Sequence, residues 1–364
     1  MFSDVYRGSH VLVLGHTGFK GSWLCSWLLE LGADVTGGSL GIPTKPSLFE
    51  VAGLEDRLTH RICDVRDANA LDQLVSEVQP DFVFFLAAQA IVSVSYEDPI
   101  ETIQTNVLGT ANILQALRSL KKQCSAVIIT SDKCYENVEW AWGYKETDHL
   151  GGKDIYSASK GAAEIVFHGF SSSFFEGDYV RLATARAGNV IGGGDWSKDR
   201  IVVDCMTRWA RNELVEIRSP LATRPWQHVL EPLSGYLMLG AALVGERDLH
   251  GEAFNFGPKA EIPITVERLI QDLGKSWGQS SSDRLYNVTD NIPFHEAGLL
   301  KLNCDKALFY LGWEANLTYE ECVDFVGSWY LEYYKGQRLM EEFTINQIRE
   351  YQEMATIREL KWTV

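Results

Sequence analysis

A chain of 364 residues with 46% hydrophobic and 23% charged side chains is globular and long enough to bury one large core or two smaller ones, which sets intrinsic disorder aside. The formal net charge of −16 argues against a nucleic-acid partner, because a duplex-binding protein presents a basic face; an anionic small substrate would have to meet local Lys or Arg groups set against the overall field. Seven scattered cysteines (Cys25, Cys63, Cys124, Cys134, Cys205, Cys304, Cys322) include no Cys-x-x-Cys pair and read as reduced structural thiols with no metal site. Neither the first ten residues nor any later apolar run suits a signal or a membrane span, so a soluble cytoplasmic protein is expected.

Val11–Leu14 reads as a buried strand. Lys20–Leu31 follows as a helix, with Trp23, Leu24, Trp27, Leu28 and Leu31 on one face and Gly32 as its stop. Ala33–Leu40 resumes as a strand, and further strands are expected at Phe82–Ala87, Ala126–Ser131 and Leu182–Ala187, with helices at Pro99–Leu120 and Tyr156–Phe175. This alternation predicts an α/β fold of the Rossmann type, a doubly wound parallel sheet with helices on both faces. After about Gly192 the pattern loosens, which predicts a smaller C-terminal α/β lobe for substrate. Residues 1–190 are expected to form the dinucleotide domain and 191–364 mainly the lobe, with some segments returning to the core. Asn316–Val364 reads as amphipathic helix that either wraps the body or meets a partner subunit.

Gly15-His16-Thr17-Gly18-Phe19-Lys20-Gly21 joins the first strand to the first helix. Glycines at this spacing allow a tight turn and close backbone approach, and the helix N-terminus offers N–H groups to a pyrophosphate. Three glycines can also make a plain turn; the strand before and the helix after favour a dinucleotide. The second strand ends Thr36-Gly37-Gly38-Ser39, without the usual acid for the adenosine ribose, so Ser39 is the candidate there. No Arg stands beside it to favour a 2′-phosphate, which points to NAD over NADP. Asp64 either faces the adenine or caps the following helix.

Tyr156 and Lys160 stand four apart on one helical face. A phenol, with a reference pKa of about 10, is a poor base at neutral pH. A neighbouring ammonium and a positive nicotinamide ring are expected to lower that value, so that Tyr156 takes a hydroxyl proton while hydride leaves. Thr130-Ser131-Asp132-Lys133 ends a strand where a ligand should lie. Ser131 completes a Ser-Tyr-Lys set. Asp132 and Lys133 are either a solvated turn or an acid–base pair, one protonating a departing hydroxyl and the other removing a carbon-bound proton. Epimerisation or reduction leaves that pair without a task; elimination of water uses it.

The segments Gly15–Trp23 (GHTGFKGSW), Thr130–Asn137 (TSDKCYEN), Trp142–Tyr144, Tyr156–Lys160, Ala187–Trp196 (AGNVIGGGDW) and Arg224–Tyr236 (RPWQHVLEPLSGY) carry a resemblance over almost the whole chain. The sequence resembles the CDP-glucose 4,6-dehydratases, a branch of the extended short-chain dehydrogenases. Lys133, where dTDP-glucose relatives have Glu, points to the CDP branch. The resemblance implies NAD as cofactor, a CDP-glucose substrate and a place in deoxysugar biosynthesis. It implies Tyr156 at the sugar 4-hydroxyl, Lys133 at the C5 proton and Asp132 at the departing C6 hydroxyl. Cofactor contacts are implied at Gly15, Thr17, Gly18, Phe19, Lys20, Gly21, Ser39, Asp64, Val65, Ala87 and Ala88, besides Tyr156 and Lys160.

Asn189, Arg200 and Arg224 match positions suited to the substrate diphosphate, against a bland reading of each Arg as a solvated charge. His228 reads as structural, and Trp140 and Trp142 as loop packing. The helices Pro99–Leu120 and Tyr156–Phe175 correspond to those that pair in a homodimer of the family; a tetramer stays open. Ser93 stands where relatives tend to have Arg, and Gly152–Ile155 lacks the usual aromatic and proline, both near the substrate path. The rival readings are a dehydratase of another nucleotide sugar, an epimerase or reductase, and a nucleotide-sensing protein without catalysis.

Overall fold

In a computed structural model, residues 1–364 are described except 176, 178, 260–263, 280–284 and 290–298. The chain begins β1 (His10–Leu14), α1 (Phe19–Glu30), β2 (Asp34–Ser39), the single turn α2 (Leu48–Val51), β3 (Thr59–Ile62), α3 (Ala68–Val78) and β4 (Phe82–Phe85). Then α4 (Val92–Glu97), α5 (Pro99–Ile103) and α6 (Gly109–Leu117) precede β5 (Cys124–Ile129), α7 (Ile155–Phe174) and β6 (Val180–Ala187). The expected helix Pro99–Leu120 is therefore two helices, joined by a π-helical turn over Gln104–Leu108. Asn106 in that turn donates to Gln89 O (3.1 Å) and Ser159 Oγ (2.9 Å), which ties it to the helix bearing Tyr156.

The second half runs β7 (Val190–Ile191), α8 (Ile201–Trp209), β8 (Val215–Ile217), β9 (Thr223–Arg224), β10 (Gln227–His228), α9 (Leu230–Gly245), β11 (Ala253–Phe256), β12 (Ile264–Thr265), α10 (Val266–Ser276), β13 (Tyr286–Val288), α11 (Asp305–Leu311), α12 (Tyr319–Lys335) and α13 (Met340–Ile357). Seven strands pair in the order β11-β6-β5-β4-β1-β2-β3, all parallel. The order reverses between β1 and β4, and in an open α/β sheet the crevice at such a reversal receives the ligand. The small pairs β7–β10, β8–β13 and β9–β12 lie outside this sheet.

Continuous apolar strands follow from burial on both sheet faces. Val11, Val13, Phe82, Phe84, Val127 and Ile129 enter one core, with α1 and α9; Leu12, Leu14, Val83, Phe85, Ala126 and Ile128 enter the other, with α3, α6 and α7. β3 escaped the sequence reading because Thr-His-Arg-Ile shows no such pattern: it is the sheet edge, and Ile62 is 68% exposed.

Of the two fates open to the C-terminal stretch, the chain wraps its own body. Thr318 and Glu321 form a capping box that starts α12. Beyond α13, Trp362 is buried against Tyr351 (ring centroids 5.7 Å), Phe2 (5.2 Å) and Trp27 (5.8 Å), and Ser3 N donates to Val364 O at 2.7 Å. Trp362→Ala should lower the unfolding free energy by about 3–5 kcal/mol, the range for deleting a buried Trp. Urea denaturation measures this, and a loss under about 1 kcal/mol would show the contact to be peripheral.

Candidate active site

The loop after β1 is closed to side chains. Gly15 has φ +88°, and a Cβ on it would lie 2.7 Å from Ala87 N at the end of β4; a Cβ on Gly21 would lie 2.1 Å from Gly15 O. Gly18 caps α1 with no side chain, leaving the first N–H groups of the helix without a side-chain cap. Such a cradle fits a pyrophosphate of a dinucleotide. Thr17 and Phe19 brace it: Thr17 donates to Gly41 O (2.6 Å), and Phe19 lies against Gly192 of the C-terminal half. Ala88 follows Ala87 at the β4 edge, half-buried.

Other predicted cofactor residues are engaged within the protein. His16, buried in the slot left by Gly37, meets Ser39 Oγ through Nδ1 (2.9 Å) and His60 Nδ1 through Nε2 (2.7 Å). Ser39 thus props the loop, where a hydroxyl open to the ribose was expected. Asp64 caps no helix, since Asp67 caps α3; it pairs with Arg66 at 2.7 Å. Val65 packs its side chain against Gly109 in the core. The β2–β3 register also sets an exposed Arg61 opposite Gly38, a cation that sequence neighbours did not reveal.

The catalytic set comes together at the β5 edge. Ser131 is the N-cap of the short turn Asp132–Cys134; its Oγ donates to Asp132 Oδ1 (3.0 Å) and accepts from Lys133 N (3.2 Å). Asp154 caps α7 through Ser157 N (2.9 Å), which places Tyr156 and Lys160 one turn apart at its start. The Ser131 side chain acts on the Tyr156 phenol, favouring its ionised form. Ser131, Asp132, Tyr156 and Lys160 are buried; Lys133 is half-buried.

Residues 12–325 match the protein family described as GDP-mannose 4,6 dehydratase. This chain belongs to that dehydratase family. It is 46% identical over 342 residues to a CDP-glucose 4,6-dehydratase of Salmonella typhimurium, covering 93% of this chain and 94% of that one. A dTDP-glucose 4,6-dehydratase of Xanthomonas campestris is 24% identical, over 85% of this chain and 93% of its own. Among solved structures, UDP-glucose 4-epimerase of Thermotoga maritima superposes with a TM-score of 0.76 at 23% identity, over 89% of this chain and 99% of its own. DesIV, a dTDP-glucose 4,6-dehydratase of Streptomyces venezuelae with NAD and TYD bound, gives 0.76 at 20%, over 88% and 97%. These two share the fold.

In this member of the dehydratase family burial sets the charges. It raises the Asp132 carboxyl above the usual range, against the nearby Lys133 and the Ser131 hydroxyl. It pulls Lys160 down to about 8, and Lys20 of α1 to about 8 as well, the latter helped by the positive charge of Arg200. Within the chain itself the Tyr156 phenol is raised by burial; the expected lowering is that of the site with a positive nicotinamide ring in place. The largest opposing influence is Arg200, followed by Ser131; a nicotinamide charge is absent from this balance. Lys20 feels Asp132 and Lys160, so it belongs beside the reacting centre as well as the cradle.

Arg200 and Arg224 divide. Arg200, at the start of α8, joins the Tyr156 cluster. Arg224 lines a cavity of about 390 Å³ with Pro225, Gln227, Lys259 and Lys301. Gly188 links the two regions: a Cβ there would lie 3.1 Å from Asp132 Oδ2 and 3.8 Å from Pro225. Asn189, next in sequence, is half-buried and does not line the cavity. His228 is fully buried between Trp23 and Phe325 and lowered by burial to about 3, a neutral structural side chain. Trp140 packs on Tyr144, with Trp142 exposed beyond it. Gly21→Ala should abolish the heat of NAD binding in calorimetry while leaving the circular dichroism spectrum unchanged; parental affinity would contradict the cradle.

Proposed function

We propose that this chain is an NAD-dependent lyase converting CDP-D-glucose to CDP-4-dehydro-6-deoxy-D-glucose and water. The observation that carries the reading is the Asp132–Lys133 pair set inside a Ser131–Tyr156–Lys160 cluster, because oxidation and reduction alone leave it idle. The 46% identity to a CDP-glucose 4,6-dehydratase over nearly the full length of both chains supports the donor. Residues 1–190 hold the cofactor and the reacting groups in this reading, and the later segments hold the nucleotide.

Gly15, Gly18, Gly21 and their neighbours would hold NAD, which would supply a hydride acceptor at sugar C4 and a hydride donor at C6, so that no outside reductant would be consumed. Tyr156 Oη takes the 4-hydroxyl proton while Ser131 Oγ holds the same oxygen, and the Lys160 ammonium supports the phenolate. A 4-ketone acidifies the C5 hydrogen, which Lys133 Nζ removes and gives back to C5 as hydride is added at C6. Asp132, whose carboxyl burial raises above its usual range, serves as the acid that delivers a proton to the departing C6 oxygen. Arg224, with Lys259 and Lys301, faces the diphosphate, and Arg200 and Asn189 complete its path.

The reading includes a homodimer through α5, α6 and α7. Ile100 and Leu108 on one side and Ile165 on the other are more than half exposed, as an apolar pairing surface would be in a lone subunit. It also includes a cytoplasmic location, supported by seven free cysteines; no described helix is long and apolar enough to cross a membrane.

Incubation with CDP-glucose, dTDP-glucose, UDP-glucose and GDP-mannose, with and without NAD, should give loss of one water from CDP-glucose alone. Loss from another donor would move the nucleotide assignment, in line with Ser93, and loss from none would sink the lyase. Tyr156→Phe should lower kcat by roughly 100-fold or more with CDP-glucose still bound. Asp132→Asn should instead let C4 oxidation proceed and stop water loss; retained dehydration would remove Asp132 from the acid's role.

A further inference from the structure

Beneath the reacting groups lies a pair of charges that no step above uses. Glu164 is one turn beyond Lys160 on α7, and Arg186 is on β6; both are about 3% exposed. Arg186 Nη2 donates to Glu164 Oε2 at 2.8 Å, and Thr184 Oγ1 donates to the same oxygen at 2.9 Å. The other oxygen, Oε1, accepts from Thr130 Oγ1. Arg186 Nη1 donates to the Tyr135 hydroxyl (2.8 Å), which donates to Asn255 Oδ1 on β11 (2.8 Å).

The placement matters more than the pairing. Thr130 immediately precedes Ser131 and Asp132 at the end of β5, and Tyr135 follows the turn that carries Asp132 and Lys133. Glu164 therefore ties the helix that carries Tyr156 and Lys160 to the strand end that carries Ser131 and Asp132. Arg186 continues the tie to the far side of the same turn. A fully buried ion pair is weak support for stability, because desolvation offsets its attraction and well-packed apolar residues often serve as well. What apolar residues cannot supply is a directional link between those two segments.

We propose that Glu164 is a positioning residue for the reaction: its carboxylate fixes Lys160 and Tyr156 against Ser131 and Asp132. The inference rests on the reading of Tyr156 and Lys160 given above. A second consequence is electrostatic. The groups that act on Lys160 are Cys134 from the turn after β5 and Glu164 on its own helix, and Lys160 in turn acts on Lys20 of α1. Burial lowers Lys160, and Glu164 opposes that lowering. Removing the Glu164 charge takes away support for the Lys160 proton and leaves Arg186 uncompensated, so Lys160 should lose its proton at lower pH.

The test follows kcat and KM for CDP-glucose against pH, with urea unfolding in parallel. Glu164→Gln should lower kcat by on the order of 10- to 100-fold, the scale of a small misplacement of reacting groups, with KM within about threefold of the parent. Its alkaline limb of kcat should move to lower pH. Thr184→Val removes one hydrogen bond and keeps the charge, so its limb should stay at the parental pH. The double variant Glu164→Leu/Arg186→Met should unfold at about the parental urea midpoint yet share the loss of kcat; should it not fold, the limb of Glu164→Gln decides. Parental kcat in the double variant, an unmoved limb in Glu164→Gln, or an equal shift in Thr184→Val would each overturn the proposal. Tyr156→Phe is assayed beside them: turnover there would defeat the reading of the site itself, whereas an inactive Tyr156→Phe with parental Glu164 variants would defeat only the positioning role.

Discussion

Withdrawal of Asp132, Tyr156 and Lys160 from water, with Lys20 half-buried beside them, at the carboxyl edge of one sheet is the constraint from which the rest of the site follows. Burial disfavours the charged form of each: it raises the acid and the phenol and lowers the two amines. A carboxyl raised above its usual range and ammonium groups lowered toward neutrality are both brought closer to the pH at which they exchange protons. The Tyr156 phenol alone is moved away from its task. Arg200 and Ser131 oppose that shift within the chain, and a cationic ring stacked in the crevice would add to them.

Such withdrawal needs backbone brought close enough to exclude water, and glycines at chosen points allow it. Gly15 meets β4, Gly21 meets the turn of Gly15, and Gly188 leaves room for the Asp132 carboxylate. Farther out, a Cβ on Gly193 would fall 2.0 Å from the ring of Trp329, and Trp23 Nε1 donates to Gly193 O at 2.9 Å. The segment leading to Arg200 is thus pressed between α1 and α12. α12, distant in sequence, thus packs on Gly193 in the segment that leads to the arginine acting on Tyr156.

Legibility in the sequence tracked how local each cause was. β1, α1 and the glycine run were readable because strand, turn and helix are contiguous and each glycine has a near steric reason. Tyr156 with Lys160, and Ser131 with Asp132, were readable because one helical turn or one strand end brings each group together. β3 was not, since an exposed edge strand needs no apolar alternation. His16 was overlooked for a different reason: its partners Ser39 and His60 arrive from two other strands. The same holds for Arg61 opposite Gly38. The direction of the Tyr156 shift depended on how deeply the phenol is buried, and spacing along a helix carries no information about that.

A chain of net charge −16 recognising a doubly charged diphosphate has to do so at short range. At physiological ionic strength the screening length is about 8 Å, so distant carboxylates contribute little inside a crevice while contacting cations keep most of their pull. The arrangement of positive charge agrees with that. Arg224, Lys259 and Lys301 share the cavity wall, and Arg200 and Lys20 stand near Asp132. Glu231, the one carboxylate among the described residues of the cavity lining, is raised by burial to about 7 and is bound by Asn316 N (2.8 Å), Leu317 N (2.6 Å) and the Tyr351 hydroxyl (3.0 Å). Its oxygens are thereby turned to the C-terminal segment. Among the described residues, the cavity wall thus presents Arg224, Lys259 and Lys301, while Glu231 is occupied in holding the fold together.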